Sequence, residues 1–194
     1  MTHTAETTPL QAYTDLAGPF GAVVERLDPA DWDRPSPCEG WSARDVLAHV
    51  VDTERQFLQT HALDVGDRPD LDAPGPSWRT HAGRVEDLLS DPAVAGLTYD
   101  GVFGPTTVGD SMVRFYGFDL VVHRWDIAQA AGHRERLSDA ELDMVDTAAT
   151  GFGEHLYDEG VCRPDVEVGD GADRQAQVLG RLGRVDSGSG VPRA

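Results

Sequence analysis

Apolar residues recur along most of this chain at the three- and four-residue spacing of an amphipathic helix. Leu10, Tyr13, Leu16, Phe20, Val23, Val24 and Leu27 predict a first helix over residues 10–27, with Thr8 and Pro9 suited to its cap and first turn. Gly18 and Pro19 lie inside it, which implies either a kink there or a start nearer Pro19. Ser42-Ala43-Arg44-Asp45 has the form of a capping box and opens a second helix, whose stripe of Val46, Leu47, Val50, Val51, Phe57 and Leu58 continues to about His61. Trp78, His81, Ala82, Val85, Leu88 and Leu89 give a third helix, ended by Asp91-Pro92. Gly109 or Asp110 can cap a fourth, which runs to about Ala131 with Gly132 as its stop. Ser138 to Glu141 form another capping box, and Leu142, Val145, Ala149, Phe152 and Leu156 define a fifth helix.

The segments between them lack this period. Residues 28–40, rich in Pro and Asp, should wrap over the helices with Trp32 and Trp41 as packing anchors, and residues 63–77 read as a loop. Residues 98–108 mix turn residues with β-formers, which suits an irregular hairpin or a long connection. Residues 157–171 read as an extended arm, 172–182 as a short final helix and 186–194 as a disordered tail. The expected fold is therefore all-α: a four-helix bundle with a long connection before the fourth helix and a short C-terminal arm and helix. With 194 residues, 40% of them hydrophobic, the chain can bury one sizeable core, so residues 1–185 are expected to form a single domain.

Charge narrows the partners. Thirty-four acidic residues against sixteen basic ones give a formal net charge of -18, which would repel nucleic acid and anionic membranes. Every basic residue is arginine, so Schiff-base and phosphate-loop lysine chemistry is excluded. That bias, with abundant Ala, Gly, Asp and Val, is the codon usage of a GC-rich genome such as an actinobacterial one. Cys38 and Cys162 are too few and too distant in sequence for a disulfide framework, and neither has a Cys or His close by in sequence. The polar N-terminus and the lack of any run near ~20 apolar residues predict a soluble, cytoplasmic protein.

Candidate chemistry centres on the fourth helix. Asp119 and His123 stand one turn apart on one face, a spacing at which an acid and an imidazole can chelate one metal ion without bending the helix. The pair alone is a common one, but Met112, Phe115, Leu120, Val122 and Ile127 around it turn part of that side inward. His49, beside Val46 and Val50 on the second helix, reads by itself as a hydrogen-bonded core or rim residue.

The run from Asp31 to Asp52, with Pro37-Cys38, Trp41 opening a helix and His49 two turns in, resembles the DinB-like four-helix-bundle superfamily. Together with Asp119, His123 and Asp126, it is similar to the branch related to the metal-binding domain of mycothiol-dependent maleylpyruvate isomerase. The stretch from Asp173 to Arg184 resembles the closing helix of small metal-binding actinobacterial relatives. This resemblance implies His49, Asp119 and His123 as ligands of a divalent metal, with Asp119 where many relatives have Glu, and it implies a homodimer. His81 and His155 are alternative ligands that lack a partner at metal-binding spacing.

Two imidazoles and one carboxylate leave an open position on zinc, the arrangement of catalytic sites, and they also suit nickel or iron. The resemblance implies a low-molecular-weight thiol such as mycothiol as co-substrate and a small electrophile as its target, in an S-transferase or isomerase reaction. Asp126 could accept the second ring N–H of a ligand histidine or carry a proton. Arg55, Arg114 and Arg124 could hold a substrate carboxylate. The isomerases of that branch carry a further C-terminal domain, whereas here a short arm and helix follow the bundle, which leaves the substrate open. The competing classes are a non-catalytic metal-binding or regulatory interaction protein, and a metal-free buried triad of the same three residues.

Overall fold

The computed structural model describes residues 7–158 and 161–185, so the tail expected at 186–194 lies outside the described residues. Helix α1 (Pro9–Arg26) begins where Thr8 accepts a hydrogen bond from the Gln11 amide, and it runs unbroken through Pro19. A start displaced toward Pro19 is thereby ruled out. Helix α2 (Ala43–Thr60) opens on the full capping box of Ser42 and Asp45. Helix α3 (Pro74–Leu89) starts a turn before its apolar stripe, because a proline tolerates the first turn, where its missing N–H leaves no bond unmade. The part of the expected loop next to Trp78 is thus helical.

A single turn, α4 (Pro92–Ala95), leads into the antiparallel hairpin of β1 (Thr98–Gly101) and β2 (Gly104–Thr107), with Val102 and Phe103 at its tip. The ambiguous stretch is therefore a hairpin. Helix α5 (Val108–Ser111) is capped by Thr107, not by Gly109 or Asp110. Thr107 ends a strand, so its backbone is extended as a cap requires, and its hydroxyl accepts from the Asp110 amide at 3.0 Å. A π-helical turn, Met112–Tyr116, joins it to α6 (Gly117–Ala130), which stops at Gly132 with φ 74°. Helix α7 (Asp139–Phe152) gives way to a 3₁₀ segment at Gly153, whose φ of 57° breaks the α geometry expected to continue to Leu156. Helix α8 (Arg174–Arg181) is the last helix among the described residues.

Helices α1, α3, α2 and α6 pack in a ring, each against the next, and enclose the larger core around Tyr13, Phe20, Leu47, Leu58 and Met112. Helices α7 and α8 lie on the far side of α6 over a second core, built from Phe118, Val121, Trp125, Val145 and Leu179. Helix α6 is consequently enclosed on both sides: twelve of its fourteen residues are buried, and Asp119 and Gln129 are the two that are not. Its apolar residues go all the way round, as a helix in that position requires. Among the described residues no helix is long and apolar enough to cross a membrane.

Close approach of α1 to the start of α6 depends on Gly117, where a Cβ would lie 2.6 Å from Leu16 Cδ1. Gly83, inside α3, has nothing within 4 Å of such a Cβ. Alanine at the two sites should act in opposite directions when stability is measured by urea denaturation. Gly83→Ala is expected to stabilise by ~0.5–1 kcal/mol through helix propensity, and Gly117→Ala to destabilise by ~1–3 kcal/mol through overpacking.

Candidate metal centre

Adjacent helices α2 and α6 bring His49 opposite Asp119 and His123. His49 Nε2 lies 3.6 Å from Asp119 Oδ2, and the two imidazoles meet edge to face with centroids 5.1 Å apart. One ligand atom from each of the three residues falls within 4.8 Å of the others. Trp41, the residue before the α2 cap, packs against His49 with ring centroids 4.9 Å apart. Side-chain exposure falls from 29% at Asp119 and 25% at His49 to 9% at His123, so the cluster is open on one side only.

On its closed side the cluster continues into a buried polar network. Asp126 is fully buried and 2.9 Å from His123 Nδ1, which leaves Nε2 as the ring nitrogen free to face His49 and Asp119. The Arg184 guanidinium donates to both oxygens of Asp126, at 2.9 and 2.7 Å. Burial alone would raise the Asp126 carboxyl, but the Arg184 charge and the hydrogen bonds from His123 and Arg184 hold it well below the usual carboxylate range. Asp126 is thus an anchored carboxylate, far from the surface acid that its charge alone suggests.

Arg184 reaches this point because α8 ends in a Schellman motif. The Arg184 amide donates to the Leu179 carbonyl and the Gly183 amide to that of Gly180, with Gly183 at φ 74°. The chain then turns back toward α6. A glycine one residue past the cap of an amphipathic helix, followed by arginine, was the sequence signal for this partner.

Cysteine 38 also belongs here. Residues 28–42 fold back on themselves through a bridge between Pro35 and Ser42, which sets the Cys38 thiol 3.3 Å from Asp126 Oδ2 and 3.6 Å from Arg184 Nη2. Cys38, isolated in sequence, therefore has His123 and Asp126 beside it in space, and the three form a second group of potential ligands. Burial, then the Asp126 charge, push the thiol up to about 12, against the opposing pull of Arg184. Cys162 contacts the same guanidinium, and burial raises its thiol as well.

Other candidates lie elsewhere. His81 is buried in the bundle core, 2.7 Å from Glu54 Oε2, which also accepts from the Tyr13 hydroxyl at 3.0 Å. His155 is exposed and paired with Asp158. Arg124 is buried in ion pairs with Glu135 and Glu141, and Arg55 donates to the carbonyls of Val65 and Gly66, so neither is available to a substrate. Arg114 is exposed, with its guanidinium 5.7 Å from the centroid of the Phe115 ring.

The chain belongs to the family of mycothiol maleylpyruvate isomerase N-terminal domains, whose model matches residues 13–128. The match takes in the four bundle helices together with His49, Asp119, His123 and Asp126, and it stops short of Cys162 and Arg184. The chain is also similar to two proteins of Mycobacterium tuberculosis, Rv0738 and MT0763, both described as uncharacterized. Each is 26% identical over 188 residues, covering 91% of this chain and 99% of the relative. No solved structure matches the chain.

Removing one charge of the buried pair should cost more than removing both. Asp126→Asn strands the Arg184 guanidinium and is expected to lower unfolding free energy by ~3–5 kcal/mol, whereas Asp126→Asn combined with Arg184→Met should recover much of that loss. Urea denaturation of both variants measures the difference; equal losses would mean that the pair acts as packing and not as compensated charge.

Proposed function

We propose that His49, Asp119 and His123 bind one divalent metal ion, zinc foremost with nickel or iron as alternatives, and that the site serves a thiol-dependent reaction on a small electrophile. The observation that carries the reading is that one donor atom from each of three residues on two helices falls within 4.8 Å of the others. Around a tetrahedral ion with bonds of ~2.1 Å, neighbouring ligand atoms stand ~3.4 Å apart, and His49 Nε2 and Asp119 Oδ2 are at 3.6 Å. Asp119, though shorter than Glu, still spans the gap.

The alternative group of Cys38, His123 and Asp126 is less suited. Arg184 already occupies both Asp126 oxygens and lies 3.6 Å from the Cys38 sulfur, so a dication there would meet a buried guanidinium. Asp126 instead fits the part of the carboxylate behind a ligand histidine, which fixes the ring and its tautomer. Its bonds to Arg184 favour this orienting role over proton transfer.

A divalent ion with an open position supplies Lewis acidity that favours the thiolate form of a bound thiol. The chain's own residues do the rest. His49 and Asp119, a quarter or more exposed, leave that position reachable from solvent, while the buried His123 and Asp126 close the back. Membership of a family named for mycothiol supports a low-molecular-weight thiol of that type as co-substrate, with S-transfer or isomerisation as the reaction. A single bundle domain over residues 1–185 and a homodimer complete the reading.

Purified protein loaded with zinc and dialysed should retain one equivalent by elemental analysis. His49→Ala, Asp119→Ala and His123→Ala should each reduce it below a tenth, while His155→Ala should keep it. Wild-type protein without stoichiometric zinc, nickel or iron would sink the metal reading. With metal retained, mycothiol consumption against a panel of electrophiles tests the reaction, and no turnover across the panel would leave a metal-binding protein without catalysis.

A further inference from the structure

Resting on the reading above, we infer that the electrophile site is the aromatic cavity beside the metal centre, and that its ligand is a flat, aromatic molecule bearing one carboxylate. The cavity measures about 810 Å³ and lies between α2, the hairpin, the π-helical turn and the end of α7. This is the size of a pocket for a small organic ligand. Six of the chain's fourteen Phe, Tyr and Trp residues line it.

Its walls are two groups of rings. On one side Phe57 contacts His61, Tyr99 and Tyr116 at centroid distances of 4.7, 5.8 and 5.0 Å. On the other, Phe103, Phe115 and Phe152 stand 5.8–6.1 Å from one another, with Phe103–Phe115 and Phe115–Phe152 stacked within 25° of parallel. Such faces favour a flat π-system over a compact polar molecule.

The rim is apolar where solvent would normally select polar residues. Val102 is 89%, Phe103 50% and Val161 51% exposed, and all three line the cavity. A two-residue hairpin loop usually carries Gly, Asn or Asp; Val102-Phe103 at this tip exposes apolar surface instead, directed at the cavity. The Tyr99 hydroxyl, 2.6 Å from Ser111 Oγ, ties the hairpin to α5 and so holds that tip in place.

Charge supplies the second half of the ligand. Arg114 lines the cavity and, among the described residues, has a ring contact with Phe115 but no ion pair. In a chain of net charge -18 a guanidinium left without a carboxylate is a ready anchor for one from a ligand. Asp100 and Asp158 also line the cavity, Asp158 already paired with His155, and they disfavour a dianion.

Two of the residues that line the cavity stand next to the metal centre in the chain. Thr53, which lines it, is one turn from His49 and donates to the His49 carbonyl at 2.9 Å. Tyr116, at the end of the π-helical turn, precedes Asp119 by three residues, ~4.5 Å along a helix. A ligand seated against Phe57 and Tyr116 would thus point its near end at the open side of the triad.

Isothermal titration on the metal-free full chain tests this independently of metal binding, with trans-cinnamate, its neutral amide and fumarate as probes. Cinnamate should bind, the amide several-fold more weakly and fumarate not measurably. Phe103→Ala, at the exposed hairpin tip where folding is not at stake, should weaken cinnamate about two- to tenfold, and Arg114→Gln should bring acid and amide to the same affinity. Fumarate binding as well as cinnamate, or no effect of Phe103→Ala, would overturn the aromatic site, and equal affinity for acid and amide in the wild type would remove Arg114 from it. Sedimentation showing that self-association buries the hairpin tip and blocks cinnamate would assign the surface to a second copy instead. Cinnamate binding in a chain that takes no metal would leave this cavity standing while the metal reading falls.

Discussion

Helix α6 is buried on both sides, and each buried charged group it carries must therefore find a partner inside the protein. The remaining architecture follows from how those partners are supplied. Arg124 is met by Glu135 and Glu141, the second of which also caps α7 and so fixes where that helix begins. Asp126 is met by Arg184, which the C-terminal turn of α8 delivers, and by Cys38 from the wrapped connection before α2. One helix thus pins together the bundle, the connection and the C-terminal helix.

The same demand shapes the candidate centre. His123 is the residue where the buried network meets the open face, with one ring nitrogen against Asp126 and the other toward His49 and Asp119. Behind it the charges are matched and closed to solvent; in front of it two donors remain partly exposed. An ion at the front would complete a set that the described residues leave one positive charge short, since the Arg184 guanidinium is committed to Asp126. The aromatic cavity lies between α2 and the π-helical turn, the same two segments that lead into His49 and Asp119.

Much of this was legible in sequence, element by element. The capping boxes at Ser42 and Ser138 and the stop at Gly132 appear where the residue types indicate, because capping is local chemistry. The start of α3 was hidden by prolines that break a helix in its interior yet suit its first turn, and the cap at Thr107 depended on the strand before it. Asp119 and His123 could be paired from their spacing alone. His49 could not, and only the resemblance to the family placed it with them.

The sequence by itself determined that the long helices exist and which faces of α1, α2, α3 and α7 turn inward, since periodicity and end signals act within a few residues of one another. It also set the acidic surface and the exclusion of lysine chemistry. Only the tertiary structure decided that α6 is enclosed twice, that Asp126 is a buried carboxylate held by Arg184, that Cys38 stands beside His123, and that rings scattered from Phe57 to Phe152 wall one cavity. The physical reason is that these relations join residues tens of positions apart, up to 146 between Cys38 and Arg184. Such distances in sequence carry no pattern of their own; they become contacts only when the two cores close on either side of one helix.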